Sequence, residues 1–211
     1  MIDVCPTITA TDLHEYRKQM ELVEGFATRI HIDCMDGDFT PTKSPDLSQA
    51  WWSENVRADI HFMYRYPLDY LDTLIRLKPK LVIVQAEAEG NFRHLANQLH
   101  KNHIKVGVCI LPETDLIVIK PALSWIDHVL IFSGKLGYHG GVANLGLLSR
   151  AETLKKWKSN VELGWDGGIN ENNAKQLITG GISVLNVGGG IHSSGDPAAA
   201  YRTLLSLTDL Q

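Results

Sequence analysis

The chain has 211 residues, 44% hydrophobic and 21% charged, enough to bury a sizeable core within one domain. Its 20 Lys plus Arg face 24 Asp plus Glu, and a net charge of -4 gives no electrostatic case for nucleic acid or an anionic membrane as a partner. No apolar run approaches the roughly 18 to 20 residues that cross a bilayer, and nothing reads as a secretory leader, so the cytoplasm is the expected compartment.

In chain order, short strand-like runs alternate with longer helical ones, the pattern of a parallel sheet covered by helices. Strands are expected over residues 3–8, 29–34, 58–63, 81–85, 105–111, 128–132, 161–165 and 184–187. Thr11-Asp12 opens a helix running to Phe26, and a short helix over 48–55 carries the pair Trp51-Trp52. Pro67 opens the next, over 68–77, and Gly90-Asn91 precedes another over 92–101. Later helices follow Thr114, Asn144, Asn170 and Asp196. Lys101-Asn102 and Gly180-Gly181 read as helix exits. No linker or repeat interrupts the rhythm, so residues 1–211 are expected to form one α/β domain, a (β/α)8 barrel. Cys5, Cys34 and Cys109 fall in strands with neither CxxC spacing nor an even count, and are read as reduced packing residues.

Chemistry-bearing residues sit at the ends of these strands. In the second, His31 and Asp33 project to one face while Ile30, Ile32 and Cys34 pack the other. The third carries His61, and Asp166 precedes Gly167-Gly168 after the seventh. A lone His at a strand end is more often a bonded structural group. Four ligand-type residues at three strand ends, on the face where such a barrel keeps its active site, favour a bound metal instead. Two imidazoles and two carboxylates suit one divalent ion, Zn, Fe, Mn or Co, without choosing among them. Gly167-Gly168 and Gly188-Gly189-Gly190 lie on successive late loops, where backbone N–H groups can face a phosphate.

The run His31-Ile32-Asp33-Cys34-Met35-Asp36-Gly37-Asp38-Phe39-Thr40-Pro41 resembles the pattern HIDxMDGxFxP of the ribulose-phosphate 3-epimerases. Pro6-Thr7-Ile8, Asp59-Ile60-His61-Phe62-Met63, the Gly107 to Thr114 stretch and Asp166-Gly167-Gly168 match further motifs, so the likeness covers nearly the whole chain. It implies a TIM barrel holding one divalent metal through His31, Asp33, His61 and Asp166, with Asp33 and Asp166 as the acid/base pair and Met35 and Met63 beside the reacting carbons. It also implies that Thr7, Gly137, Gly140, Gly141, Gly167, Gly168, Gly188, Gly189 and Gly190 surround the substrate. The implied reaction is epimerisation at C3 of a ketose phosphate, D-ribulose 5-phosphate to D-xylulose 5-phosphate first.

That chemistry makes sense of the residue set. Inverting a carbon beside a ketone needs a base on one face and an acid on the other. The enediolate between them needs a fixed positive charge at its oxygens, which a metal supplies. Polarizable methionines could fill space against it, although by themselves Met35 and Met63 read as core residues.

Several positions depart from the family pattern. Phe132-Ser133-Gly134-Lys135-Leu136-Gly137-Tyr138-His139-Gly140-Gly141 replaces a VxPGFxGQ stretch, and Lys135 or His139 could bring a charge to a phosphate. Gln85 stands where the family usually has His, with Glu87 retained, and Leu130 where it often has Met. Another ketose phosphate, such as a hexulose 6-phosphate, and a catalytically silent sugar-phosphate barrel therefore stay open. A phosphosugar lyase is a minor reading, because the DxKxxD lysine of related decarboxylases is missing. Trp51-Trp52 and Tyr64-Arg65-Tyr66 could cover a subunit interface or pack on the barrel. A homo-oligomer, dimer or hexamer, is the family habit.

Overall fold

The computed structural model describes residues 2–138 and 140–208. Eight parallel strands pair in sequence order, and the first closes on the last. They are β1 (Asp3–Ile8), β2 (Arg29–Met35), β3 (Arg57–Met63), β4 (Leu81–Gln85), β5 (Lys105–Ile110), β6 (His128–Phe132), β7 (Glu162–Asp166) and β8 (Val184–Val187). β4, β6 and β8 are mostly Val, Ile and Leu, and nearly every strand residue is buried, as a parallel sheet between a filled interior and outer helices requires. The register sets Asp33 opposite His61, and Asp166 opposite both Phe132 and Asn186.

The helices are α1 (Leu13–Val23), α2 (Leu71–Leu77), α3 (Phe92–Lys101), α4 (Leu148–Trp157), α5 (Glu171–Thr179), α6 (Gly189–His192) and α7 (Pro197–Ser206). Asp12, Asn91, Asn170 and Asp196 each cap a helix by accepting from a backbone N–H of its first turn, so the start signals in the sequence act as expected. No described helix is long and apolar enough to cross a membrane.

Three helical expectations are corrected. The helix over 48–55 is a single 3-10 turn, Leu47–Gln49, capped by Asp46. Beyond it residues 50–53 form no helix, and Tyr16 engages Trp51 at both backbone groups: its hydroxyl donates to Trp51 O at 2.7 Å and accepts from Trp51 N–H at 3.2 Å. The segment after Thr114 is a 3-10 run, Leu116–Trp125, holding Pro121, which lacks the N–H an α-helix would use. The first helix ends at Val23, short of Phe26, and Phe26 packs against Tyr201.

Two large apolar clusters fill the space between strands and helices, while Leu81, Ile83, Cys109, Leu130 and Phe132 cluster separately. All three cysteines are buried free thiols, and burial pushes each up, in keeping with packing roles. Near the N-terminal ends of the strands, buried Arg29 donates to Asp59 at 2.7 Å, Asp3 at 2.8 Å and Glu162 at 2.9 Å. His128 meets Glu162 at 2.8 Å. This ionic plug leaves the C-terminal mouth for ligands.

Candidate active site

His31, Asp33, His61 and Asp166 converge, each offering a ligand atom within 4.8 Å of the others. β2 supplies two of them because residues i and i+2 share a face, and pairing with β3 puts His61 beside Asp33. His61 Nδ1 lies 3.0 Å from Asp33 Oδ1. His31 Nε2 lies 3.4 Å from Asp33 Oδ1 and 3.6 Å from Asp166 Oδ2, yet the fully buried imidazole makes no hydrogen bond to either. A nitrogen left unbonded between two carboxylates is the gap a divalent cation fills, so this donor set fits the metal.

The two carboxylates differ in proton affinity. Burial works to raise Asp33, but the His31 and His61 imidazoles outweigh it and hold the carboxyl well below its usual range. Burial, and then the charge of Asp33, push Asp166 well above. Thr9, on the loop after β1, donates to Asp33 Oδ2 at 2.5 Å. Burial lowers His31, which favours the neutral imidazole a metal needs.

Above this cluster lies a cavity of about 220 Å³. Thr7, Met63, Gly137, Gly140, Gly141, Gly167, Gly168, Gly188, Gly189 and Gly190 line it, as do Asp33 and Asp166. Met35 does not; it is fully buried, with Thr42 Oγ1 3.0 Å from its sulfur. The same hydroxyl donates to Gly137 O at 3.0 Å, tying the loop after β2 to the loop after β6.

Gly167 and Gly168 have positive φ, and a Cβ at either would strike backbone of the β6 loop, at Gly134 and Ala143. Their first duty is thus to let two loops pack. Gly189 differs, since a Cβ there meets nothing within 4 Å. Among the described residues no Lys or Arg lines the cavity. Lys135 is exposed, its ammonium 4.3 Å from the centre of the Tyr138 ring, and His139 lies outside the described residues. Glu87 accepts from Thr114 at 2.5 Å and is not part of the lining.

Sequence reasoning missed Thr9 and Asn186, both lining residues, and the partnership of Gln85 with His61. A lone amide in Val184-Leu185-Asn186-Val187, just before a glycine run, was an available signal for Asn186.

A sequence model described as the ribulose-phosphate 3 epimerase family matches residues 3–192. The chain belongs to the ribulose-phosphate 3-epimerase family. Relatives bearing the name ribulose-phosphate 3-epimerase include one from Aquifex aeolicus, 28% identical over 97% of this chain and 96% of that protein. One from Helicobacter pylori (strain 26695) is 30% identical over 95% of each. The family name denotes isomerases acting on sugar phosphates, and this chain is one of that class. Among solved structures, 3-hexulose-6-phosphate synthase from Salmonella typhimurium superposes with a TM-score of 0.73 over 98% of each chain at 14% identity. KGPDC from Streptococcus mutans reaches 0.70 at 10% identity, covering 99% of this chain and 98% of that one. Identities this low speak for the barrel fold alone.

Proposed function

We propose that the chain is a metal-dependent 3-epimerase of D-ribulose 5-phosphate and D-xylulose 5-phosphate, working as one catalytic barrel in a homo-oligomer. The observation that carries the reading is the pair Asp33 and Asp166, which reach His31 Nε2 from separate strands, at 3.4 and 3.6 Å, on the cavity's edge. Two carboxyls so arranged can start a reaction with one proton held and one acceptor ready.

A divalent ion held by His31, Asp33, His61 and Asp166 would act as a Lewis acid toward charge developing on the ketone and hydroxyl oxygens. The ionised carboxylate takes the C3 proton from its side, and the protonated one gives a proton to the opposite side. The roles exchange in the reverse direction. Phe132, Met63 and Ile169 in the lining help keep water from the carbanionic carbon. With no lysine or arginine in the described lining, the phosphate falls to backbone donors. Gly189 and Gly190 open α6, so their N–H groups have no acceptor within that helix. The lack of a lining lysine also weighs against a lysine-dependent lyase.

Incubating metal-loaded protein with D-ribulose 5-phosphate in D₂O tests the reading. D-Xylulose 5-phosphate carrying deuterium at C3 is expected. Turnover of a hexulose 6-phosphate alone would move the assignment to that substrate, and neither product nor exchange would reject it.

A further inference from the structure

Asn186 is 2% exposed, lines the cavity, and has no hydrogen-bond partner at either Oδ1 or Nδ2. A buried amide with donor and acceptor both unmet is costly to fold, whereas an apolar side chain of the same shape would carry no such penalty. Its full hydrogen-bonding capacity is therefore free for whatever enters the cavity.

Position on the strand says which part of the ligand it meets. Asn186 is the register partner of Asp166. Gly188, also in the lining, lies two residues further toward the mouth, about 6 to 7 Å on at the usual rise of a strand. Asn186 thus stands between the group assigned to the proton at C3 and the loop assigned to the phosphate. In a pentulose 5-phosphate the atom between the reacting C3 and the phosphate-bearing C5 is C4, with its hydroxyl. An amide suits this place: it can give and accept a hydrogen bond at once, and, being neutral, it adds no charge next to Asp166.

We propose that Asn186 reads the C4 hydroxyl of the substrate and so determines which ketose phosphates are accepted. The proposal rests on the function argued above. A site built to bond a hydroxyl discriminates strongly against the analogue lacking it, because the protein groups are then left buried and unpaired; an apolar site cannot.

The test compares D-ribulose 5-phosphate with its 4-deoxy analogue on wild type and on Asn186→Leu, with thermal melting of both proteins. Asn186→Ser, which exchanges the amide for a smaller hydroxyl and should keep only part of the preference, is the second variant should the first not fold. The wild type should prefer the natural substrate strongly in kcat/KM. In Asn186→Leu that preference should shrink by about 10- to 100-fold, with the 4-deoxy compound turned over as well as before or better and the melting temperature unchanged or higher. Equal losses on both compounds, or a lower melting temperature with the preference intact, would show a structural amide and overturn the assignment. Wild-type protein that turns over neither compound would overturn the functional reading itself, and the role of Asn186 with it.

Discussion

Gln85 holds the outer nitrogen of His61: its amide Nε2 lies 2.7 Å from imidazole Nε2, on the far side of the ring from Asp33. In this arrangement the imidazole carries its proton on Nδ1, donates it to Asp33, and leaves Gln85 Oε1 without a partner. Half a turn of the amide exchanges donor and acceptor. Oε1 then accepts from Nε2–H, and Nδ1 turns a lone pair toward the carboxylates, as a metal ligand must. Groups that fix a ligating imidazole in this way are usually worth 10- to 100-fold in metal affinity. Gln85→Leu should weaken metal binding by that order in a chelator competition, and His61 should lose its fixed tautomer by nitrogen NMR. Unchanged affinity would reduce Gln85 to a packing residue.

The four-residue cluster predicts metal content. Protein purified without chelator should hold about one transition metal ion per chain, the stoichiometry of a single site of this ligand type. His61→Ala should lose it. Elemental analysis of both proteins checks this, and full occupancy in the variant would remove His61 from the site.

Much of this architecture is legible in the sequence, and the reasons are local. Runs such as Leu81–Gln85 and His128–Phe132 announce strands through β-branched and apolar residues, and strand alternation alone puts His31 and Asp33 on one face. What escaped depends on neighbours distant in sequence. Tyr16 takes up the backbone of Trp51 across 35 residues, and the arrangement of β1 and β8 around the site decides that Thr9 meets Asp33 and that Asn186 stands beside Asp166. Gly167 and Gly168 read as phosphate ligands from the sequence and do line the cavity; what the sequence does not show is that their missing Cβ also lets the β6 loop pack close.

Gly189 separates binding from folding. Its Cβ position is open, so Gly189→Val should fold normally while crowding the loop assigned to the phosphate. KM for the phosphorylated ketose should rise by on the order of tenfold or more, with kcat less affected. Steady-state kinetics with circular dichroism checks both points. An unchanged KM would place the phosphate elsewhere. The equivalent changes at Gly167 and Gly168 would collide with backbone and test folding instead.

Asp59 makes stability depend on pH. Burial raises its carboxyl from 3.8 to about 7, despite the opposing charge of Arg29. Between those values the folded chain keeps a proton that the unfolded chain has released, so this group's contribution to stability falls as pH rises through the window. Asp59→Asn stays neutral and should lack that slope. Urea midpoints at pH 5 and 7.5 should therefore fall less with pH in the variant than in wild type. Parallel changes would mean that Arg29 keeps Asp59 ionised throughout.

The two-carboxylate mechanism is tested most directly by Asp166→Asn, loaded with metal, shown to retain it and to keep its fold. Asp33 and Asp166 are assigned to opposite faces of C3, so the variant should lose epimerisation by roughly 10² to 10⁴-fold, the usual worth of a positioned acid or base. In D₂O it should still exchange the C3 proton of the one epimer that Asp33 reaches. Metal-replete Asp166→Asn that interconverts D-ribulose 5-phosphate and D-xylulose 5-phosphate at the wild-type rate would contradict the account.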